Sequence, residues 1–377
     1  MDLSYINTDN VENMEKMFYN CKNLSYLNLS HFNTSKVKNM ESIFTGCESL
    51  LSLDASNFDL ISINPNINIF NNLISLIFLK LENTDTSFMT NMSHFFYNLK
   101  SLTSLDLSYF DTSNVTNLDY MFYNSTKLSS LNLSHFNTSN VNNMIAMLDG
   151  CNSLLSLDIS NFDLTSLHHS INIFNKLTSL RFLKISNLNI SHTANISYLF
   201  YNLLSLTSID LSDFDTSIIT NTGYMFGNCY NLVSLDSLNF NNEKVQNMEG
   251  LFIFVQKLEK INFTHFNTSA VSKMSFMFYS CYKLTSLDLS YLDTSSTETL
   301  DRIFGHCINL KFLDLSFLNI YKVKNMNGLF FNCYNLLSVN LSNLNITSVT
   351  TMSNMFNNCT NLKSIDLLHF NTISLKI

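Results

Sequence analysis

Hydrophobic and polar residues repeat along this chain with a period of 26 residues. A leucine opens each copy, from Leu24 to Leu362, and no insertion or deletion interrupts the spacing. Such a sustained period is typical of solenoids, in which each repeat buries its apolar side against the next. We therefore expect residues 1–377 to form a single continuous solenoid of about fourteen repeats, with partial repeats at both ends. Positions are counted from the key leucine, so that +4 is four residues after it.

The copy that begins at Leu102 shows which elements each repeat predicts. Leu105 and Leu107 alternate with polar residues, which is the two-residue period of a short strand with one buried side. A polar turn follows, in which Ser113 is placed to cap a helix. The sequence thus predicts an α/β solenoid, with parallel strands on one face and short helices on the other. One face of the predicted helix carries Val115, Leu118, Met121, Phe122 and Ser125.

A second period of 104 residues, or four repeats, lies over the first. Phe78-Leu-Lys80 reappears as Phe182-Leu-Lys184, which indicates duplication of a four-repeat block. Solenoids expand easily in whole units, because each unit contacts only its neighbours. The only proline, Pro65, falls in a predicted helix, which we expect to start late or to be irregular.

The repeat resembles that of the BspA-like leucine-rich-repeat surface proteins. The residues that carry the resemblance include Leu284–Ser290, Asp293-Thr294-Ser295, Asn39-Met40 and the downstream Phe44 and Cys47. The resemblance covers nearly the whole chain and implies a leucine-rich-repeat-like solenoid with a surface, adhesin-like, protein-binding role. Better-known leucine-rich repeats have a buried asparagine at +8. This chain has Phe32, Phe110 or Phe214 there, which predicts a phenylalanine stack instead of an asparagine ladder.

The composition excludes several classes of protein. The chain has 377 residues, of which 46% are hydrophobic, so it is too apolar for a disordered chain. One proline and seven glycines leave little for hinge linkers or Gly-rich phosphate loops. A net charge of −8 without a basic cluster argues against nucleic acid and anionic membranes as partners. No apolar run is long enough to predict membrane insertion.

The cysteines and histidines predict structural rather than catalytic roles. The eight cysteines share position +23, where other copies have mostly Leu or Val, so we expect buried thiols. Four histidines share position +7 but lie at least four repeats apart, too far to form one site. We expect no enzyme activity, cofactor or metal. The histidines are His31, His135, His265 and His369 at +7, and the adjacent pair His168-His169, which lacks a nearby ligand in sequence.

Acidic and amide residues occupy two columns of the repeat. Position +9 is always Asn or Asp, and uniformity at a turn favours a structural Asx role. Position +4 mixes Asp and Asn with two lysines and points outward from the strand. Adjacent carboxylates ~5 Å apart in water repel by about 0.8 kcal/mol, so the mixture fits a solvated edge that avoids self-repulsion. A recognition surface, or a calcium site between Asp210 and Asp236, are the alternatives.

The outward strip, formed by positions +2, +4 and +6 of each repeat, is the predicted binding surface. Solenoids typically bind partners along such strips, and interface energy concentrates in large side chains. Because most of the strip is small and polar, we expect the main contacts at Phe78/Lys80 and Phe182/Lys184. The alternative is that these residues arose by neutral sequence drift in the two duplicated repeats and have no role in binding. The candidate partner-binding residues are Tyr26, Phe78, Lys80, Asp106, Asp158, Phe182, Lys184, Asp210, Asp236, Lys260, Asp288, Phe312 and Asp314.

The sequence thus predicts a non-catalytic module that binds one or more proteins of unknown identity. The resemblance implies a location at the cell surface or outside the cell. No signal peptide is visible, so an intracellular scaffold or effector is the alternative, and a cytoplasmic location stays open. Neither end carries a polar cap, which predicts either a longer protein or end-to-end self-association.

Overall fold

The structure is a computed structural model with two compact units, Met1–Ile190 and Ser191–Ile377. The single continuous solenoid over residues 1–377 stays a prediction. Pro65, His168-His169, Asp236 and His369 lie outside the described residues, together with the predictions that fall on them. The structure describes residue 3 and residues 5–61, 68–167, 173–174, 176–235, 240 and 243–368.

Short parallel strands follow one another in chain order, as the two-residue period predicts. Within the described ranges there are nine strands in three sheets, and neighbouring strands pair equivalent positions of successive repeats, such as Leu27 with Leu53. This register confirms the 26-residue period. The first sheet contains β1 (Tyr26–Asn28), β2 (Ser52–Asp54) and β3 (Phe78–Lys80), the second β4 (Ser130–Asn132), β5 (Ser156–Asp158) and β6 (Phe182–Lys184), and the third β7 (Phe312–Asp314), β8 (Ser338–Asn340) and β9 (Ser364–Asp366).

The segments predicted to be helices are runs of overlapping β-turns, and the described residues contain no helix. Alternate N–H groups close turns within the repeat, as where Tyr123 donates to Tyr120 O at 3.0 Å. The others cross to the next repeat, as where Phe122 donates to Met147 O at 2.9 Å. The prediction of a helix capped by Ser113, with Val115, Leu118, Met121, Phe122 and Ser125 on one face, was therefore wrong.

Backbone geometry and repeat spacing explain why turns replace helices. Tyr120 and Asn124 have left-handed φ angles of 56° and 59°, and the same two positions, +18 and +22, are left-handed in most described repeats. An α-helix is about 10 Å wide, whereas neighbouring strands lie ~4.8 Å apart. Turns that hydrogen-bond from repeat to repeat keep the strand spacing on this side as well. A three-residue apolar spacing fits both a helix face and successive β-turns, so the sequence pattern could not separate them.

Phenylalanine rings stack through the core, but at +20 rather than at the predicted +8. Phe96 and Phe122 stack with centroids 5.7 Å apart and planes at 14°, and Phe278 and Phe304 at 5.8 Å and 3°. The +8 phenylalanines that the structure describes are buried, yet Phe240 and Phe266 meet edge to face at 84°. The predicted stack through Phe32, Phe110 and Phe214 was therefore wrong about the column.

An asparagine ladder is present too, at the left-handed position +22. The Asn98 amide donates to Asn72 Oδ1 at 2.9 Å, and the Asn124 amide donates to Asn98 Oδ1 at 2.8 Å. Asparagine tolerates this backbone region better than most residues. Asparagine at +22 therefore serves two purposes: it adopts the left-handed backbone conformation, and its side chain hydrogen-bonds to the next repeat.

Where position +10 is a buried threonine, its side chain joins the repeat to the next. The hydroxyl of Thr112 donates to the carbonyl of Asn137 at 3.1 Å and accepts from the N–H of Asn137 at 2.8 Å. Where the residue is aliphatic, as at Leu60, backbone groups make the contact directly: Leu60 N–H donates to Asp85 O, and Asp85 N–H donates to Phe58 O. The threonine side chain thus replaces a backbone bridge.

The cysteines also have a hydrogen-bonding role in the core. The thiol of Cys229 donates to the carbonyl of Phe200 at 3.1 Å, and that of Cys307 to the carbonyl of Phe278 at 3.1 Å. Burial raises the pKa of Cys229 to about 12. All eight cysteines are free, Cys21 is exposed and Cys359 is half-buried. The buried-thiol prediction is confirmed for Cys47, Cys151, Cys229, Cys281, Cys307 and Cys333.

Candidate functional site

Large apolar side chains emerge where the strands begin. We call this edge the leading corner; in each repeat it consists of the residue before the key leucine and the two residues after it. At the second residue after the leucine, side chains point away from the core, because alternate strand residues face opposite sides. Four candidate residues are more than half exposed there: Tyr26 (64%), Phe78 (53%), Phe182 (64%) and Phe312 (54%).

In the first unit, the leading corner presents two apolar patches. In the first sheet Ser52 lies between Tyr26 and Phe78, so the Cα atoms of these two residues are two strand spacings, or ~10 Å, apart. Beside Phe78, Ile77 is also exposed. In the second sheet the exposed Leu155 lies one repeat before Phe182, whose N–H donates to Leu155 O, while the exposed Arg181 takes the place of Ile77. Sequence reasoning missed Ile77 and Leu155, although a column at +1 would have shown them.

The two lysines predicted to accompany the phenylalanines are engaged in ion pairs. Lys80 Nζ lies 2.9 Å from the Glu82 carboxylate, and Lys184 Nζ lies 3.2 Å from the Asp158 carboxylate. The hydrogen bond to Glu82 raises the pKa of Lys80. Because these ammonium groups are already paired, the exposed rings are the stronger candidates for contact with a partner.

The acidic column at +4 is structural as well as exposed. Oδ1 of Asp106 accepts the N–H of Ser108 at 3.0 Å, and Oδ1 of Asp288 accepts the N–H of Ser290 at 3.0 Å. These backbone bonds hold the pKa of both carboxyls below the ordinary value. Sequence reasoning missed these Asx turns; a hydroxyl residue two positions later was the available signal. The same bond is made by Asp158, Asp210 and Asp314.

The second acidic column, at +9, has the Asx role that the sequence predicts. Oδ1 of Asp111 accepts the N–H of Ser113 at 2.8 Å, and Oδ1 of Asn137 accepts the N–H of Ser139 at 3.1 Å. Asp215 makes the same bond, which lowers the pKa of its carboxyl. The column therefore fixes the turn after each strand.

Two histidines of the +7 turn position, His31 and His135, bond to backbone carbonyls. Nε2 of His135 donates to Leu107 O at 2.7 Å, and Nε2 of His31 donates to Leu3 O at 2.6 Å. Over the described ranges, no group of three His, Cys, Asp or Glu side chains converges as metal ligands would. The hypothetical calcium site between Asp210 and Asp236 lies partly outside the described residues.

The family comparison matches almost the entire chain. Residues 1–78, 67–182, 155–260 and 246–370 match a family described as Mycoplasma protein of unknown function, DUF285. The chain belongs to the DUF285 family. The four overlapping matches follow from the repeat, since any few consecutive copies resemble any others. No curated protein matches the sequence.

Solved leucine-rich-repeat proteins are similar at low identity. A leucine-rich cell surface protein of Faecalibacterium prausnitzii is 14% identical over 91% of this chain and 82% of its own, with a TM-score of 0.31. A leucine-rich repeat protein of Bacteroides ovatus is 13% identical over 86% and 80%, with a TM-score of 0.30. The TLR13–ssRNA13 complex is 20% identical over 85% of this chain, which spans 45% of that protein's length; its TM-score is 0.39. The leucine-rich-repeat character of this chain rests on its own period and strands.

No helix long and apolar enough to cross a lipid bilayer occurs in the part of the chain that the structure describes.

Proposed function

We propose that this DUF285 protein is a non-catalytic repeat scaffold that binds a partner protein through its leading corner. The observation that carries the proposal is the exposure of Phe78 and Phe182 beside other apolar side chains, on strands whose backbone is fixed by parallel pairing. Rigid, exposed aromatic rings supply binding energy at a small cost in conformational entropy. The polar +4 column borders the rings and provides a solvated rim.

The duplicated arrangement supports two equivalent contacts on the first unit. Phe78 and Phe182 occupy the same position of sheets that share strand order and register. A partner that contacts both rings binds more tightly than one that contacts a single ring, because the second contact forms at a high effective concentration once the first is made. A binding function explains why large side chains recur at a position where most copies have serine.

The finer proposal concerns location. We place the protein at the cell surface or outside the cell, in an adhesin-like role, as the BspA-like resemblance implies. Protease treatment of intact cells tests this: loss of the intact protein, with a cytoplasmic marker untouched, is expected. Full protection would favour the alternative, an intracellular scaffold or effector.

The binding proposal is tested by exchanging the rings for the consensus residue. A partner is first isolated by pull-down, and its affinity is compared for the native protein and the Phe78→Ser/Phe182→Ser variant. Removing two anchor residues should weaken binding at least about tenfold, without lowering the melting temperature, because both rings are exposed.

The matched control is Phe88→Ser, since Phe88 is 63% exposed but lies at +12, away from the leading corner. It should leave the affinity unchanged. Equal affinity of all three proteins would contradict the proposed site.

A further inference from the structure

The leading corner of the second unit has more basic residues than that of the first: it carries Lys257, Lys260, Lys283, Lys311 and Lys363, whereas the first carries Lys127 and Arg181. Lys257 and Lys283 precede key leucines, and Lys311 and Lys363 follow them; all four are exposed. Among the described residues, none of the four ammonium groups has a carboxylate within 4.0 Å. These lysines lie one or two repeats apart along the chain, so the cluster does not show as a basic run in the sequence.

Backbone pairing places Lys257, Lys283 and Lys311 on three successive turns, and Lys363 lies two turns further on. Lys311 N–H donates to Thr285 O at 3.1 Å, and Lys363 N–H donates to Leu337 O at 2.9 Å. With turns ~4.8 Å apart, the band from Lys257 to Lys363 crosses four turns and is on the order of 20 Å long. Ammonium groups held side by side repel one another, so an anion that lies along the band lowers this repulsion.

The surroundings of the band limit the shape of that anion. Asp314 follows Lys311 by three strand residues, or ~10 Å, Asp288 follows Lys283 by five residues, and Glu259 lies within the band. A broad anionic surface such as a nucleic-acid duplex would meet these carboxylates, whereas a single extended chain would not. Phe312, which is next to Lys311 and more than half exposed, offers an apolar anchor at the middle of the band.

We propose that the leading corner of the second unit binds an extended acidic segment of a partner protein, with its carboxylates on Lys257, Lys283 and Lys311 and an apolar side chain on Phe312. The inference rests on the proposed protein-binding function and names the chemistry of the partner. A narrow peptide matches the local charge, while the net charge of −8 repels a long polyanion.

The test uses the whole protein and a fluorescent glutamate-rich peptide that contains one phenylalanine. The variant Lys257→Gln/Lys283→Gln/Lys311→Gln should bind this peptide about tenfold more weakly at ~0.1 M salt, where the Debye length is ~10 Å, since three exposed ion pairs are lost. The matched control, Lys273→Gln/Lys322→Gln/Lys324→Gln, makes the same change in net charge with three exposed lysines at +12 to +15. It should alter the affinity less than about twofold, because charges beyond a Debye length are screened.

Three outcomes would overturn the inference: no binding of the peptide by the native protein, equal weakening by both triple variants, or tighter binding of a single-stranded oligouridylate than of the peptide. The first leaves the proposed function intact if Phe78→Ser/Phe182→Ser still loses the pulled-down partner. Conversely, the proposed site on the first unit fails if those two substitutions have no effect, even while the peptide binds the second unit.

Discussion

The buried threonine at +10 makes a direct prediction about what couples the repeats. Thr112 is 1% exposed, and its hydroxyl satisfies both the N–H and the carbonyl of Asn137. Thr112→Val keeps the shape but leaves these two groups without a partner. An unsatisfied buried polar group costs about 1–3 kcal/mol. Because the side chain of Asn137 is exposed and water can reach part of the site, we expect a loss of about 2 kcal/mol.

The size of the effect is judged against two matched substitutions. Thr112→Ser retains the hydroxyl and deletes a methyl group, so it should cost only about 0.8 kcal/mol. Thr103→Val changes an exposed threonine at +1 of the same repeat and should be nearly neutral.

Denaturant unfolding followed by circular dichroism measures the stability, and hydrogen exchange at the Asn137 amide shows whether the loss is local. Repeat arrays often depart from two-state unfolding, so the exchange measurement is the decisive one. If Thr112→Val were as stable as Thr112→Ser, with the Asn137 amide equally protected, the hydroxyl would not couple the repeats.

Three further predictions concern other columns of the repeat. Alkylation of the native protein should modify Cys21 first and the six buried cysteines only after denaturation; rapid native labelling of all eight would contradict their burial. Gly227→Ala should destabilise the second unit by about 1–3 kcal/mol, because the added Cβ would lie 2.7 Å from the Tyr201 ring; an unchanged melting temperature would refute this packing. Nε2 of His306 accepts from the Asn332 amide, and burial lowers the pKa of His306. The unfolded chain therefore binds the proton more readily, so stability should fall as pH drops below about 6.5. His306→Asn, which restores the common ladder residue, should remove that part of the pH dependence.

The 26-residue period and the two-residue strand alternation predict which residues stack on equivalent residues of the next repeat and which side chains point inward. The parallel register, the inward strand leucines, the Asx turns at +9 and most of the buried thiols could all be predicted from columns of equivalent residues. Each of these needs only that successive repeats stack. The column at +23, for example, accepts Cys, Leu or Val, which by itself indicates a core position.

Features that depend on backbone conformation within a repeat could not be predicted in the same way. The apolar spacing from Val115 to Phe122 fits a helix face as well as overlapping β-turns. The deciding facts are the left-handed residues at +18 and +22 and the hydrogen bonds between repeats. Tyr120 occupies one of these left-handed positions, and such a residue gives no sequence signal comparable to glycine.

The candidate site likewise has features that the sequence predicts and features that depend on local backbone geometry. Exposed Phe78, Phe182 and Phe312 at +2 follow from strand alternation, whereas the Asx turn at Asp106 depends on local geometry. The basic band of the second unit arises only when lysines a repeat apart are placed side by side. The charge pattern of this protein is therefore seen by comparing equivalent positions of successive repeats, and not by looking for consecutive charged residues.

Photo-crosslinking in cells tests the central claim, that partners bind at the leading corner, and it works before any partner has been identified. A photoreactive phenylalanine analogue replaces either Phe182 or Phe88, which are 64% and 63% exposed in the same unit but lie at +2 and +12. Binding at the leading corner predicts discrete crosslinked proteins from position 182 and only background from position 88. Equal crosslinking at both positions, or crosslinking at position 88 alone, would contradict it.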